Sequence, residues 1–213
     1  MSPCQLYCFA ESGNSYKAAL MLALSGASWE PIWVDYFGGE TKQPAFRTQV
    51  SAMGEVPVLV HAGERIAQSG VILDYLAEQT RRFGAQDARE RREIWSWLLF
   101  DNHKFTSYFA TLRFMLGIQN AGESPVTEFL RARVNTAFGI VEQRLTGSAF
   151  VAGERPTIAD LSMVAYLYYP EHTGVDLDAF PRIRDWMQRI ATLPGWKAPY
   201  ELMPRGPARA ARG

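Results

Sequence analysis

Gly54-Glu55-Val56-Pro57-Val58-Leu59-Val60 reads as a turn that runs into a short buried strand. His61-Ala62-Gly63-Glu64 has the composition of a hairpin turn, and Gln68-Ser69 heads an amphipathic run, Val71-Ile72-Leu73-Asp74-Tyr75-Leu76. Proline in a strand pattern belongs at the strand's first residue or on an edge. An X-Pro bond takes the cis form at modest cost, and then marks a tight turn. A cis bond at Val56-Pro57 would turn the Val56 N–H and C=O away from the sheet ladder, free to pair with an extended peptide as in strand addition. Gln68-Ser69 offers an amide, a hydroxyl and backbone N–H groups at a helix N-terminus, a ready receptor for a carboxylate. Each piece has a plainer reading, since Val-Pro is an ordinary strand start and Ser a preferred N-cap. Their order and spacing point instead to a site that grips the backbone of a small peptide and its terminal carboxylate.

Working outward, residues 5–78 alternate strand and helix. Leu6-Tyr7-Cys8-Phe9 is a short strand and 15–24 a helix, with Ala18 and Leu22, and Leu20 and Leu24, at helical spacing. Residues 29–34 read as a second strand, and 37–50 as a polar stretch with one helical turn. Residues 58–60 and 65–67 form a hairpin, closed by a helix over 69–78. The order β-α-β-(α)-β-β-α fits a small mixed sheet of about 80 residues.

Charge and helix formers crowd residues 79–92, with Gly84 as a break, and a linker is expected at 80–89. From there to residue 204 the pattern is helical, over 90–116, 126–145, 157–169 and 183–193. Thr157-Ile158-Ala159-Asp160 carries capping-box spacing with Asp in place of Glu, so it starts a buried helix and does no chemistry. Residues 205–213, rich in Pro, Ala, Arg and Gly, are expected to be a disordered tail.

The 213 residues are 47% hydrophobic and 21% charged, with a formal net charge of zero. That balance gives no support to a nucleic-acid or anionic-membrane partner. No apolar run approaches the ~18 residues of a membrane span. Met1-Ser2-Pro3-Cys4-Gln5 lacks the charged head of a secretory signal, and Cys4 and Cys8 share one strand, so a cytoplasmic setting without disulfides is expected. His61, His103 and His172 have no metal-ligand spacing, and no metal is expected.

A thioredoxin-like unit followed by an all-helical domain resembles the cytosolic glutathione transferase superfamily. The resemblance is carried by Val56-Pro57-Val58-Leu59, by Gln68-Ser69 with Ile72 and Tyr75-Leu76, and by Pro156-Thr157-Ile158-Ala159-Asp160. Ser12-Gly13-Asn14-Ser15-Tyr16-Lys17 adds a first-helix signature similar to that of bacterial, serine-type, theta- or nu-like members. The resemblance implies a domain at 1–79 that binds glutathione as co-substrate, Val56 and Pro57 holding its cysteinyl backbone and Ser69 with Gln68 its γ-glutamyl carboxylate. It also implies a homodimer, a small hydrophobic electrophile near Trp97, Phe100, His103, Tyr108 and Phe114 of the helical domain, and Asp101 as a contact to glutathione on the partner subunit.

Such chemistry needs the thiol as thiolate. Lowering its pKa by ~2 units takes about 2.7 kcal/mol. A hydrogen bond to a charged group supplies roughly 1.5–3 kcal/mol, and a helix N-terminus about 0.3–1. One hydroxyl and one helix terminus therefore suffice. Ser12, between first strand and first helix, stands where serine-type members carry their catalytic serine, and Asn14 is the second candidate donor. The plainer reading makes Ser12 loop and Asn14 or Ser15 the helix cap. Cys8 occupies the place of the phenol in tyrosine-type members; Tyr7 is adjacent but on the opposite face of a strand. Buried in a strand, Cys8 is read as inert.

Two residues depart from the family pattern. Glu55 stands where many members carry a base or an amide, and would repel a glutathione carboxylate unless Lys42 or another cation compensates. Gln68 replaces a more common acidic residue, so a partner for the γ-glutamyl amine is missing unless Asp101 of a second subunit supplies it. Conjugation of glutathione to an electrophile is the leading expectation. A glutathione-dependent peroxidase or disulfide reductase, and a non-catalytic interaction protein of the same fold, are the alternatives.

Overall fold

The protein is described by a computed structural model over residues 2–206. Its chain divides into two compact units, one formed by the chain up to Arg82 together with the segment from Pro194, the other by Phe83–Leu193. The first is a thioredoxin-like α+β unit and the second is helical, the architecture expected from the sequence.

In the first unit the order is β1 (Cys4–Cys8), α1 (Gly13–Ser25), β2 (Trp29–Trp33), α2 (Pro44–Gln49), β3 (Val58–His61), β4 (Glu64–Ala67) and α3 (Ser69–Thr80). The strands lie in the order β2-β1-β3-β4, with β1 parallel to β2 and antiparallel to β3, and β3 antiparallel to β4. Strand periodicity turns Cys4, Leu6 and Cys8 inward, while Gln5 is exposed and Tyr7 half-buried. Leu6, Leu20, Leu59, Ile72 and Leu76 are fully buried where α1 and α3 pack beside each other. Each such side chain contributes about 1.5–3 kcal/mol by leaving water.

The expectation that the helical domain runs to residue 204 is corrected. From Pro194 the chain returns to the first unit, where the last helix, α9 (Pro199–Leu202), lies against α1. Tyr16 Oη donates to the Lys197 carbonyl at 2.7 Å. A Cβ at Gly195 would stand 2.7 Å from the Ala23 carbonyl oxygen, so this approach requires glycine. The expected linker contains the unit boundary. Of the expected tail, residues 207–213 lie outside the described residues, while the Arg205 guanidinium sits 4.0 Å from the Tyr200 ring centroid.

In the second unit the helices are α4 (Ala88–Phe100), α5 (Thr106–Arg113), α6 (Pro125–Arg144), α7 (Ile158–Val164) and α8 (Pro181–Ala191). The single helix expected over 90–116 is divided by π-helical turns at Asp101–Phe105 and Phe114–Ile118. Phe105 and Phe109 stack on Phe138 at centroid distances of 4.8 and 5.7 Å. The box at Thr157–Asp160 forms as expected. Asp160, wholly buried, accepts from the N–H groups of Val151 and Thr157, the Thr157 hydroxyl and the Trp186 indole, at 2.8, 2.8, 2.9 and 3.0 Å. Among the described residues no helix is long and apolar enough to cross a membrane.

Candidate functional site

Strand register gathers the candidate residues of the first unit. Tyr7 near the end of β1 pairs with Val58 at the start of β3, and Val58 pairs with Ala67 at the end of β4. Three segments therefore meet the sheet at one end: Phe9–Ser12 leaving β1, Val56-Pro57 entering β3, and Gln68-Ser69 leaving β4. The same end receives β2, where the Val34 N–H donates to the Cys8 carbonyl at 3.0 Å.

The Val56-Pro57 bond is cis. The ladder begins one residue later, at Val58, so Val56 lies outside it. Among the described residues the Val56 N–H and C=O have no protein partner. Half-buried Val56 thus offers one donor and one acceptor at the sheet end, the pair that an extended peptide takes up.

Ser69 opens α3 and Gln68 caps it. The first turn closes with the Ile72 N–H on the Gln68 carbonyl at 2.9 Å. The N–H groups of Ser69 and Gly70 have no protein acceptor among the described residues, as helix geometry requires of a first turn. Together with the Ser69 hydroxyl they are the donor set that an anion receptor requires. Gln68 itself has φ +69°, an uncommon conformation for a residue with a Cβ. Its Nε2 donates to Glu55 Oε2 at 3.0 Å and to Met53 Sδ at 3.2 Å. The two departures from the family pattern are therefore hydrogen-bonded to each other.

Ser12 is the N-cap of α1, and neither Asn14 nor Ser15 takes that place. Its Oγ accepts the Ser15 N–H at 3.1 Å, and its own N–H donates to the Phe9 carbonyl at 3.1 Å. A hydroxyl has one donor and two acceptor positions, so capping leaves the Ser12 proton free to be donated. Asn14 sits one turn position further in, and its Oδ1 is buried without a partner among the described residues. Phe9 stacks on Tyr36 at 4.7 Å, with Phe37 edge-on to both, an aromatic cluster that anchors the loop carrying Ser12. Sequence patterning missed this cluster, because Tyr36 and Phe37 lie beyond the strand repeat. Burial pushes the Cys8 thiol up to about 12 and raises that of Cys4 as well, the opposite of what a reactive thiol needs.

Lys42 is exposed at the end of a 3₁₀ turn at Glu40–Lys42 and makes no ion pair among the described residues. The cation beside the loop is Arg47 of α2: a Cβ built on Gly54 would lie 3.1 Å from its Nε and Nη2. The polar stretch expected at 37–50 contains both residues, and nothing in the pattern distinguished which of them faces Gly54.

In the helical unit Trp97 meets Phe100 edge to face at 5.6 Å, and its indole donates to Glu93 at 3.0 Å. His103 is exposed, while Tyr108 and Phe114 are half-buried. Asp101 is fully buried, accepting from the Thr106 hydroxyl and, at 2.6 Å, from the Ser162 hydroxyl of α7. The expectation that Asp101 reaches a partner subunit is thereby corrected: its carboxylate is an internal tie between helices. Among the described residues no group of three His, Cys, Asp or Glu side chains is placed to hold a metal ion.

Residues 2–78 match the model of the glutathione S-transferase N-terminal domain, and residues 104–194 that of the C-terminal domain. The chain is 31% identical to maleylacetoacetate isomerase of Pseudomonas aeruginosa over 199 residues, 91% of this chain and 93% of that one. It is 26% identical to the disulfide-bond oxidoreductase YfcG of Escherichia coli, over 87% of this chain and 89% of that one. A solved glutathione S-transferase from Pseudomonas fluorescens superposes with a TM-score of 0.87 at 30% identity, over 92% of this chain and 98% of that one. With both domain models matched in order along most of its length, the chain belongs to the glutathione S-transferase family.

Proposed function

We propose that this protein is a glutathione transferase of serine type, in which the Ser12 hydroxyl donates a hydrogen bond to the glutathione thiolate. The observation that carries the reading is the Ser12 cap: its Oγ accepts from Ser15, which aims the hydroxyl at the N-terminus of α1 and leaves the proton available. Glutathione would lie along Val56 as an added strand, its γ-glutamyl carboxylate on Ser69 and the first turn of α3. Arg47, with Lys42, would receive the glycyl carboxylate. The thiolate then attacks an electrophilic carbon, forming a C–S bond as the carbon's π electrons or leaving group depart. A hydrophobic electrophile handled by Trp97, Phe100, His103 and Tyr108, and a homodimer, complete the proposal.

Steady-state kinetics with glutathione and an aryl halide test it. Stoichiometric loss of glutathione thiol with conjugate formation, slowed about 100-fold in Ser12→Gly, supports a transferase. Similarity to a maleylacetoacetate isomerase favours a second reading, in which the thiolate adds to a cis double bond and leaves again. Turnover of such a substrate without net consumption of glutathione would select that reading.

A further inference from the structure

We infer that Glu55 is a specificity-determining residue, supplying from the same chain the negative charge that meets the α-ammonium of the ligand's γ-glutamyl group. The inference rests on the reading that this site binds glutathione. It starts from the pairing of Gln68 with Glu55 at 3.0 Å. Gln68 adjoins Ser69, so the Glu55 carboxylate is tied beside the anion receptor at the head of α3. An α-amino acid end carries its carboxylate and its ammonium on one carbon. Whatever receives one must stand next to whatever receives the other. Ser69 with the open N–H groups of α3 suits the carboxylate, and Glu55 suits the ammonium.

Acceptor counting supports the assignment. The Gln68 amide spends its N–H groups on Glu55 and Met53, which leaves its Oε1 as an acceptor. One oxygen of Glu55 is held by Gln68, and the other keeps its acceptor capacity. Gln68 also holds a φ of +69°, an uncommon conformation of the kind retained at ligand clamps. The other carboxylate considered for the task, Asp101, is fully buried and hydrogen-bonded to Thr106 and Ser162. Recognition of the amine thus needs no acidic group from a second subunit.

The test is calorimetric titration of the full chain and its Glu55→Gln variant with two ligands. One is glutathione; the other is its deamino analogue, glutaryl-cysteinyl-glycine, which lacks only the ammonium. Wild type is expected to prefer glutathione, and Glu55→Gln to lose that preference by weakening for glutathione alone, about fivefold for a partly exposed pair. An equal loss for both ligands would make Glu55 a structural brace for Gln68 and overturn the inference. No change for either would overturn it as well. A wild type that binds both ligands equally refutes the inference while leaving the glutathione site standing; a wild type that binds neither refutes the glutathione reading itself.

Discussion

Ser12 Oγ accepts the Ser15 backbone N–H at 3.1 Å, so one hydroxyl caps α1 and still keeps its proton. From sequence, the plainer reading made Ser12 loop and put the cap at Asn14 or Ser15; the structure makes Ser12 itself the cap. Cap and donor are compatible in one residue, because accepting and donating use different parts of the hydroxyl.

The two roles are separable by substitution. Ser12→Ala loses cap and donor, and is expected to cost about 1 kcal/mol of stability. Ser12→Gly loses the donor while costing only a few tenths. Both should lower kcat/KM about 100-fold, the scale of removing one donor to a developing negative charge. Urea denaturation beside kinetics checks this; activity that tracks stability across the two variants would reduce Ser12 to a cap.

Asp101→Ala addresses the helical unit. Losing the acceptor leaves the Ser162 and Thr106 hydroxyls buried without it, at about 1–3 kcal/mol each. The melting temperature should fall by roughly 2–4 °C for each kcal/mol lost. The glutathione dissociation constant should stay unchanged. A large rise in that constant at constant melting temperature would restore Asp101 as a ligand contact.

Cys8 carries a pH dependence. Its thiol is pushed up to about 12 by burial, from an ordinary 9.0 that the unfolded chain would show. Between those values the folded state binds the extra proton, so stability falls as pH rises. The slope is at most about 1.4 kcal/mol per pH unit. Denaturation of wild type and Cys8→Ala at pH 8 and 10 should show the steeper loss in wild type. Iodoacetamide should leave both cysteines unmodified at pH 8 until denaturant is added.

Arg47→Ala is expected to weaken glutathione binding about three- to fivefold, on the scale of one exposed ion pair, and more than Lys42→Ala does. The same comparison with glutathione amidated at glycine should show no difference between the variants. Binding constants by fluorescence quenching decide it; equal losses for the amide would detach Arg47 from the glycyl carboxylate.

What the sequence made legible follows the range of the forces involved. The succession of strands and helices along residues 5–78 follows from periodicity and from Pro57 and Gly63 punctuating the chain, all local signals; the lateral strand order β2-β1-β3-β4 was not legible. The π-helical turns were hidden, because apolar spacing over 90–116 does not record which carbonyl each N–H chooses. The Asp101 tie to Ser162, across 61 positions, accompanies the first of them. The four-residue α9 was too short for any repeat, and its packing on α1 goes with two contacts far apart in sequence, Tyr16 with Lys197 and Gly195 with Ala23. Glu55 and Gln68 were each legible as odd residues, but their bond spans a hairpin and needs the register of β3 on β4.

Thiolate absorbance of bound glutathione, followed against pH in wild type and Ser12→Gly, decides whether the Ser12 hydroxyl stabilises the glutathione thiolate. The bound thiol is expected to titrate about 2 units below free glutathione in wild type and to return toward the free value in the variant. A thiol equally depressed in both proteins would contradict it and move the role to Asn14 or Tyr7.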